Sequence, residues 1–328
     1  MDDADPREVG RLWSAAMRRG DWGEAWRQTD RIELPRRSLQ GRPGFAWQPH
    51  QLVWDGTPFA GRSVLVRCEH GLGDTLQFIR FVPLLASLAH KVIVRLQPHL
   101  LPLLVGAPQL GHVCNGWTDE PPPHTDVQIE VMELAYAFRC LPGTVPPPYP
   151  HLAARVTGRL PPLDDDGRLK VGLLWAASEW DPSRSISLAV LEPLLRFAGA
   201  RFFSLQQGDA AGVAHAARLG VEPLSRRTAD IATAAAAMLQ LDLVITVDAM
   251  AAHLAGTLGR PTWVLLKPDA DWRWMDGRSD SPWYPGMRLW RQPAAGDWTT
   301  VVAAMGAALR SVAETRAGVS PAAGRPVH

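Results

Sequence analysis

Cysteine is scarce in this sequence of 328 residues, and long apolar runs are missing. The three cysteines, Cys68, Cys114 and Cys140, lie far apart and form no Cys-x-x-Cys pair. This spacing argues against a disulfide framework and a structural zinc site, and it favours a reducing cytoplasm. No apolar run reaches the roughly 18 residues of a membrane span, and the polar start MDDADPREVG is unlike a signal peptide. We therefore expect a cytoplasmic protein without stable membrane insertion.

An excess of either charge is also lacking. The 34 Lys and Arg residues against 33 Asp and Glu residues leave a formal net charge of +1, and no long basic block is present. Such a chain is unsuited to following a nucleic-acid backbone or an anionic membrane, so we expect no nucleic-acid partner. The length and the 46% hydrophobic content are sufficient for two domains of ordinary size.

The first 61 residues predict a short helical part followed by an irregular connector. Residues 7 to 31 have the pattern of two short helices around Gly20-Asp21, and we assign 1–31 to a helical hairpin. Because one hairpin cannot bury its apolar face alone, it either packs on the next domain or is the remnant of a helical repeat array. Residues 32–61 are rich in Pro, Gly and Trp and show no periodicity, which predicts the connector.

Alternating strand and helix patterns begin at residue 62 and restart at residue 170. The predicted strands are 63–68, 91–96 and 126–131 in the first series, and 170–175, 201–206, 242–247 and 261–266 in the second. This order is typical of parallel sheets with helices on both faces. The sequence thus predicts an α/β protein of two Rossmann-like domains, 62–150 and 170–312, with a proline-rich linker at 151–169 and a disordered tail at 313–328.

Two glycines precede an acid at a predicted helix start, in the segment GLGDTLQFIRF (71–81). Gly71 and Gly73 allow a sharp turn and a close approach of a ligand, and the helix N-terminus favours an anion or a carboxylate. The segment is no Walker loop and lacks the third glycine of the dinucleotide fingerprint. From the residues alone, Asp74 is either a helix cap or a functional carboxylate.

Two loops of the second series carry candidate nucleotide contacts, because ligands of open α/β sheets bind beyond the carboxyl ends of the strands. In VDAMAAH (247–253), Asp248 and His253 are either a cap with a core histidine or part of a nucleotide site whose phosphate meets the amides at 249–251. In SEWDPSRSIS (178–187), Arg184 is either a surface arginine or a bidentate partner of a diphosphate.

Two Asp-x-Asp patterns occur, at Asp269-Ala270-Asp271 and within Asp164-Asp165-Asp166. Such pairs hold a metal ion in some sugar-nucleotide enzymes, but neither is accompanied by a His or by a third acid that converges on the same ion. We therefore predict no metal site.

Five segments together resemble a known family: GLGDTLQFIRFVPLL, VGLLWAAS with RSISL, FFSLQQGD, ADIATAAAAMLQLDLVITVDAMAAHLAGTLGRPTWVLL, and DWRWMDGRSDSPWYPGMRLWRQ with GDW. They resemble the glycosyltransferase part of bacterial tetratricopeptide-repeat proteins. These are related to the family 9 glycosyltransferases, the ADP-heptose:lipopolysaccharide heptosyltransferase superfamily. The likeness covers roughly residues 50 to 310.

The resemblance implies a GT-B fold, in which two Rossmann-like domains face each other across a cleft. It implies that the first domain binds an acceptor and the second binds a nucleotide sugar. It also implies metal-independent, inverting transfer of a hexosyl or heptosyl group, with the acid at Asp74 as general base. No cofactor is expected, because a nucleotide-diphosphate sugar serves as co-substrate. The acceptor is a glycan, a lipid-linked molecule, a protein or a small molecule.

The predicted site has an acceptor side and a donor side. Beside Asp74, the acceptor or cleft residues are Gly71, Gly73, Thr75 and Gln77. The nucleotide-sugar residues are Ser178, Arg184, Ser185, Gln206, Asp248, Ala249, Met250 and His253.

Two positions depart from the pattern of the family. Ala249 replaces a Thr or Ser. The segment Ala177-Ser178-Glu179 replaces Gly-Asn with a following Lys, so that this loop has no lysine before Arg184. An alternative is therefore a degenerate, non-catalytic module that binds a nucleotide or a partner protein. A third reading is a sugar-nucleotide epimerase of similar fold.

Overall fold

The structure is a computed structural model that describes residues 5–39, 51–177, 180–224, 227–228 and 230–319. The predicted site residue Ser178 lies outside the described residues, as do 40–50 of the predicted connector and 320–328 of the predicted tail. Within the described part of the chain, no helix has both the length and the apolar character required to cross a membrane.

The chain starts with helices α1 (Pro6–Arg19) and α2 (Trp22–Leu39), which pack against each other. Asp5 caps α1, and Gly20 ends it in the left-handed conformation at φ 81°. Helix α2 continues to Leu39, so residues 32–39 are helical and not part of an irregular connector. A buried ion pair between Arg36 and Glu33, one turn apart, stabilises this last stretch beyond Pro35.

The first sheet has four parallel strands in the order β3-β2-β1-β4. They are β1 (Ser63–Arg67), β2 (Lys91–Leu96), β3 (His112–Asn115) and β4 (Val127–Glu130). The helices are α3 (Leu72–Phe78), α4 (Val82–Leu88), α5 (Leu101–Leu104) and α6 (Leu134–Ala137). The helix that begins in the segment 71–81 does not run on as one element. A 3₁₀ turn at Ile79–Phe81 separates α3 from α4, because Pro83 disfavours a continuous helix through the residues before it.

The second sheet has six parallel strands in the order β10-β9-β8-β5-β6-β7. The strands are β5 (Leu169–Leu174), β6 (Ala200–Ser204), β7 (Glu222–Pro223), β8 (Leu243–Val247), β9 (Thr262–Leu266) and β10 (Met287–Arg291). The helices are α7 (Leu152–Val156) before the sheet, then α8 (Leu188–Leu195), α9 (Ala210–Arg218), α10 (Ile231–Met238), α11 (Met250–Thr257) and α12 (Trp298–Val319).

The structure confirms the prediction of an α/β fold with parallel sheets. One boundary is wrong: helix α12 runs to Val319, seven residues into the segment that we predicted to be a disordered tail. Buried side chains such as Met305 and Leu309 hold the helix against α8 and the second sheet. Within the extension, Ala313 packs against the second cluster and Arg316 pairs with Asp242, so side-chain contacts continue beyond the limit that composition indicated.

The core is shared between the two halves of the chain. One hydrophobic cluster joins the first sheet, α3 and α5 to α10, α11 and one face of the second sheet, and a second cluster fills the opposite face. Helix α3 packs directly on α11, and α5 packs on α10. An open cleft between two separate domains is therefore not confirmed.

Helices α1 and α2 bridge both halves. Trp22 stacks on Trp283 of the second half with ring centroids 4.8 Å apart. Trp26 donates from its indole to the Cys140 carbonyl of the first half at 2.7 Å. Because the two helices contact both halves, their packing restrains the halves relative to each other.

Candidate functional site

Asp74 lies in the first turn of α3, just beyond the carboxyl end of β1. Its Oδ2 accepts the amide of the N-cap residue Gly71 at 2.9 Å, which is the half of a capping box that the third helical residue supplies, since glycine has no side chain for the other half. Its Oδ1 accepts from Arg273 Nη2 at 2.5 Å, and the Asp74 side chain is 23% exposed. The carboxylate is therefore both a helix cap and a contact between the two halves of the chain.

Arg273 was missed by the sequence analysis. It follows β9 in a 3₁₀ turn at Trp272–Trp274, and its side chain is only 11% exposed. Besides Asp74, its Nη1 donates to Asp271 Oδ1 at 2.8 Å, and its guanidinium lies over the Trp272 ring at 4.8 Å. The only sequence signal was an arginine between two tryptophans in DWRW, which local patterns alone do not connect to a carboxylate 199 residues away.

His253 lies on α11 and faces α3. A Cβ added to Gly73 would lie 2.7 Å from His253 Cδ2, so the two helices approach each other at this glycine. Its Nδ1 lies 3.1 Å from the Tyr284 hydroxyl, and its ring stacks on Trp274. Burial lowers the pKa of His253 to about 3, and the charge of Arg273 acts in the same direction. The imidazole is thus neutral at physiological pH.

Two of the residues predicted for the acceptor side, Thr75 and Gln77, do not line an open surface. Thr75 is fully buried and donates from its hydroxyl to Gln97 at 3.1 Å. Gln77 is fully buried, and neither atom of its amide has a partner among the described residues. The clearance at Gly73 is occupied by His253, which corrects the interpretation that both glycines leave room for a ligand. Their assignment to an acceptor stays a prediction.

The predicted donor residues are brought together at the carboxyl ends of β5 and β8. Arg184 Nη1 donates to the Asp248 carbonyl at 3.0 Å, and the Ser185 hydroxyl accepts the Ala177 amide at 3.0 Å. Ala249 is the N-cap of α11 and provides no side-chain hydrogen bond to it, and Met250 is the first residue of that helix. The N-terminus of α11 therefore lies beside a guanidinium, which is a suitable electrostatic setting for an anion.

Asp248 itself is buried behind this surface. Burial raises the pKa of Asp248 to about 6, and the charge of Asp271 acts in the same direction. Gln206 is also buried, and its Oε1 accepts the Ala176 amide at 3.0 Å while its Nε2 donates to the Gln207 carbonyl at 3.1 Å. Gln206 thus holds the β5 loop in place.

A further acid, Glu130, lies at the carboxyl end of β4, next to β1 in the sheet. Its Oε2 accepts the Met132 amide at 2.7 Å. Burial raises the pKa of Glu130 to about 8, and the nearby charges of Glu133 and Asp74 act in the same direction. Glu130 is therefore mostly a neutral carboxylic acid at pH 7.

A cavity of about 280 Å³ opens on the first sheet near the start of the Gly71 loop. It is lined by Arg67, Glu69, Arg95, Trp117 and Gln128, among others. Trp117 is 57% exposed, and Arg67 is paired with Glu69 at 2.6 Å. An aromatic face beside guanidinium and amide groups can bind a sugar ring or a small anion.

Neither Asp-x-Asp pattern is arranged as a metal site in the described residues. Asp271 is paired with Arg273, and Asp166 is paired with Arg168 at 2.6 Å. In the part of the chain that the structure describes, no three His, Cys, Asp or Glu side chains converge in a way that would bind a metal ion.

Comparison with known sequences gives one distant relative. No family model matches the chain. The chain is 26% identical over 325 residues to protein FlbA of Caulobacter vibrioides, and the match covers 90% of this chain and 53% of FlbA. The chain therefore spans about half the length of that curated relative.

Comparison with solved structures is more informative about the fold. The Escherichia coli ADP-heptose lps heptosyltransferase II is similar with a TM-score of 0.54 at 14% identity, covering 76% of this chain and 99% of that chain. A family 9 glycosyl transferase from Veillonella parvula DSM 2008 has a TM-score of 0.52 at 13% identity, covering 80% and 99%. E. coli heptosyltransferase WaaC with ADP-2-deoxy-2-fluoro heptose has a TM-score of 0.52 at 15% identity, covering 77% and 99%.

The chain has the fold of these heptosyltransferases. The likeness to the family 9 glycosyltransferases is thus confirmed at the level of the fold. The likeness to tetratricopeptide-repeat proteins stays a prediction.

Proposed function

We propose that the protein is a glycosyltransferase that moves a sugar from a nucleotide-diphosphate donor to an acceptor hydroxyl. One observation carries the proposal: the Asp74 carboxylate, at the carboxyl end of the first sheet, directly contacts the loop that follows β9 of the second sheet. The fold supports it, because the similar solved structures include a heptosyltransferase with an ADP-sugar analogue. Sheets of this type bind ligands at their carboxyl ends.

In the proposed reaction, Asp74 is the general base. The acceptor oxygen attacks the anomeric carbon while the bond between that carbon and the phosphate oxygen breaks. The nucleoside diphosphate leaves with the electron pair of that bond. The acceptor hydroxyl becomes more acidic as its new bond forms, so a carboxylate can take its proton. A carboxylate has about four acceptor positions, and the Gly71 amide and Arg273 occupy two of them. Attack from the face opposite the leaving group inverts the anomeric configuration.

The cations near the ends of β5, β8 and β9 are proposed to stabilise the departing nucleoside diphosphate. Arg184 borders the N-terminus of α11, and Arg273 lies next to Asp74. Fixed positive charges in a partly buried site stabilise a developing negative charge without rearranging. We propose that this function needs no metal ion, and that the nucleotide sugar is a co-substrate and not a bound cofactor.

The acceptor side is proposed to include the cavity on the first sheet. Its exposed Trp117 offers a stacking surface, and Arg95 lies in the neighbouring strand in register with Arg67. This lining fits a glycan, or an acceptor that carries an anionic group. We retain the prediction that the protein acts in the cytoplasm.

The test combines a binding measurement with a turnover assay. Calorimetry with ADP-, UDP-, GDP- and dTDP-sugars identifies the donor, and release of the nucleoside diphosphate measures transfer or hydrolysis. Asp74→Asn should lower turnover about 10²- to 10⁴-fold, the range of a general base, with donor affinity unchanged. Asn keeps the volume of the side chain and one oxygen for the Gly71 amide. Turnover that survives this substitution would refute the assignment of the base.

Other outcomes identify a different function. Binding without turnover in the wild-type protein indicates a degenerate module, and interconversion of donor sugars without an acceptor indicates an epimerase. The assay is repeated after dialysis against EDTA. Loss of activity that Mg²⁺ or Mn²⁺ restores would contradict the proposed independence of metal.

A further inference from the structure

Lys267 follows β9 and is bound to the loop that follows β5. Its Nζ donates to Asp181 Oδ2 at 3.0 Å and to Ser183 Oγ at 3.0 Å. Because β8 lies between β9 and β5 in the sheet, Lys267 reaches across the carboxyl end of β8. Lysine is rare in this protein and occurs only at positions 91, 170 and 267, in contrast to the many arginines.

Arg184 approaches the same carboxylate. Its Nε lies 3.7 Å from Asp181 Oδ2, and its Nη1 donates to the Asp248 carbonyl at the end of β8. The Asp181 carboxylate thus lies close to two cations. The side chains of Lys267 and Arg184 are 22% and 18% exposed, so both cations are partly desolvated and yet reachable from solvent. A partly buried pair of cations attracts an anion more strongly than exposed ones do.

We propose that Lys267 and Arg184 bind the phosphate groups of the nucleotide sugar, and that Lys267 supplies the ammonium group that the β5 loop lacks. This inference rests on the proposed function. It adds Lys267, a donor-binding residue that lies outside the segments from which the other donor-binding residues were predicted. The sequence of the β5 loop has no lysine before Arg184. The structure brings one from the β9 loop, at a position that no local pattern identified.

Asp181 is the counter-ion of this site when no phosphate is bound. Its carboxylate also accepts the Ser183 amide at 3.1 Å, which fixes it at the start of the 3₁₀ turn Pro182–Arg184. A bound phosphate would share Lys267 with Asp181 and would be repelled by that carboxylate. We therefore expect Asp181→Asn to strengthen phosphate binding, although it removes an ion pair from the protein.

The first experiment measures the binding of inorganic pyrophosphate, ADP and UDP by calorimetry. Lys267→Met keeps the length of the side chain and removes its charge, and it should weaken pyrophosphate binding roughly tenfold, the effect of one charge-assisted contact. Lys267→Arg should retain most of the affinity. Lys91→Met, a matched change at an exposed lysine of β2, should leave binding unchanged.

The second experiment uses pyridoxal 5′-phosphate as a phosphate-directed lysine reagent. Its aldehyde condenses with a lysine amine to an imine with loss of water, and borohydride reduces the imine to a stable secondary amine. Peptide mass spectrometry then reports on all three lysines at once. Lys267 should be labelled preferentially, and a saturating concentration of pyrophosphate should prevent this labelling. Labelling of Lys91 should not respond to pyrophosphate.

The outcomes separate this inference from the proposed function. If sugar nucleotides bind equally well to wild type and Lys267→Met, and pyrophosphate does not protect Lys267, the inference is wrong while the proposed function stands. If pyrophosphate binds in a Lys267-dependent manner but no sugar nucleotide binds, the anion site is correct and the proposed function fails. If neither pyrophosphate nor any nucleotide binds to the wild-type protein, both are wrong.

Discussion

Asp74 and Arg273 form an ion pair that connects the two sheets, although the two residues are 199 positions apart in the chain. The carboxylate lies at the start of α3, and the guanidinium lies in the loop after β9. Both side chains are largely shielded from solvent. The contact therefore fixes the residue that we propose as general base relative to the half that we propose to bind the donor.

We expect a measurable coupling between these two residues. In a double-mutant cycle of Asp74→Asn and Arg273→Met, the free energies of unfolding should be non-additive by about 0.5–3 kcal/mol, because the residues are in direct contact. Arg273→Met alone should be strongly destabilising, since it leaves Asp271 and Asp74 without their shared partner. Urea denaturation of the four proteins provides the measurement.

The matched control for this cycle is the pair of Arg11 and Glu8 on α1, which is exposed to solvent. Its coupling should not exceed a few tenths of a kcal/mol, as is usual for exposed pairs one turn apart on a helix. Equal coupling for both pairs would contradict the buried contact between Asp74 and Arg273.

Gly73→Ala tests the close approach of α3 and α11. An added Cβ would meet His253 Cδ2 at 2.7 Å, so a neighbour must shift, and we expect a loss of about 1–3 kcal/mol in the free energy of unfolding. Gly10→Ala is the control, because a Cβ at that position of α1 meets nothing within 4 Å. There, the better helix propensity of Ala should stabilise the protein by up to about 1 kcal/mol.

A third variant identifies the cause of the effect. If His253 is the obstacle, His253→Ala should be less destabilising in the Gly73→Ala background than in the wild type. A Gly73→Ala protein that is as stable as Gly10→Ala would show that α3 and α11 are not in contact at this point in solution.

The stability of the protein should decrease with rising pH because of Glu130. Its pKa is about 8 in the folded protein and 4.5 as the ordinary value. Between about pH 4.5 and 8, the folded state therefore holds a proton that the unfolded state has lost. In that window the Glu130 contribution to the free energy of unfolding should fall by about 1.4 kcal/mol per pH unit. It is fully present below pH 4.5 and is lost as the pH rises past about 8.

The measurement compares wild type with Glu130→Gln in urea titrations at several pH values. The glutamine is neutral at every pH, so the difference in slope between the two proteins isolates Glu130 from Glu133, whose pKa is also raised by burial. Parallel pH profiles would mean that Glu130 is ionised in the folded protein.

Much of the fold was predictable because it depends on local patterns. Strands β2 and β8 each contain three consecutive β-branched or leucine residues, VIV and LVI, and the structure contains both strands at or within one residue of the predicted limits. Strands β3 and β10, and the two-residue strand β7, were not predicted. The HVCN segment of β3 is short, and the MRLWR segment of β10 carries Arg288 and Arg291, so neither shows the continuous apolar run of a central strand.

The candidate site was only partly predictable for the same reason. The loops around Asp74, Arg184 and Asp248 follow strands, and the rule that ligands bind at the carboxyl ends of parallel strands identified them. Arg273 and Lys267 belong to the loop after β9, but their partners Asp74 and Asp181 are distant in sequence. Distance along the chain carries no signal about such contacts.

The sequence by itself determined the two α/β series, the scarcity of cysteine and the position of Asp74 at a helix start, since hydrophobic periodicity and capping act over a few residues. The tertiary structure decided what surrounds that carboxylate. The packing of α3 on α11 filled the space beside Gly73 with His253 and brought Arg273 to Asp74. It also brought Lys267 beside Arg184, because neighbouring parallel strands end at the same edge of the sheet.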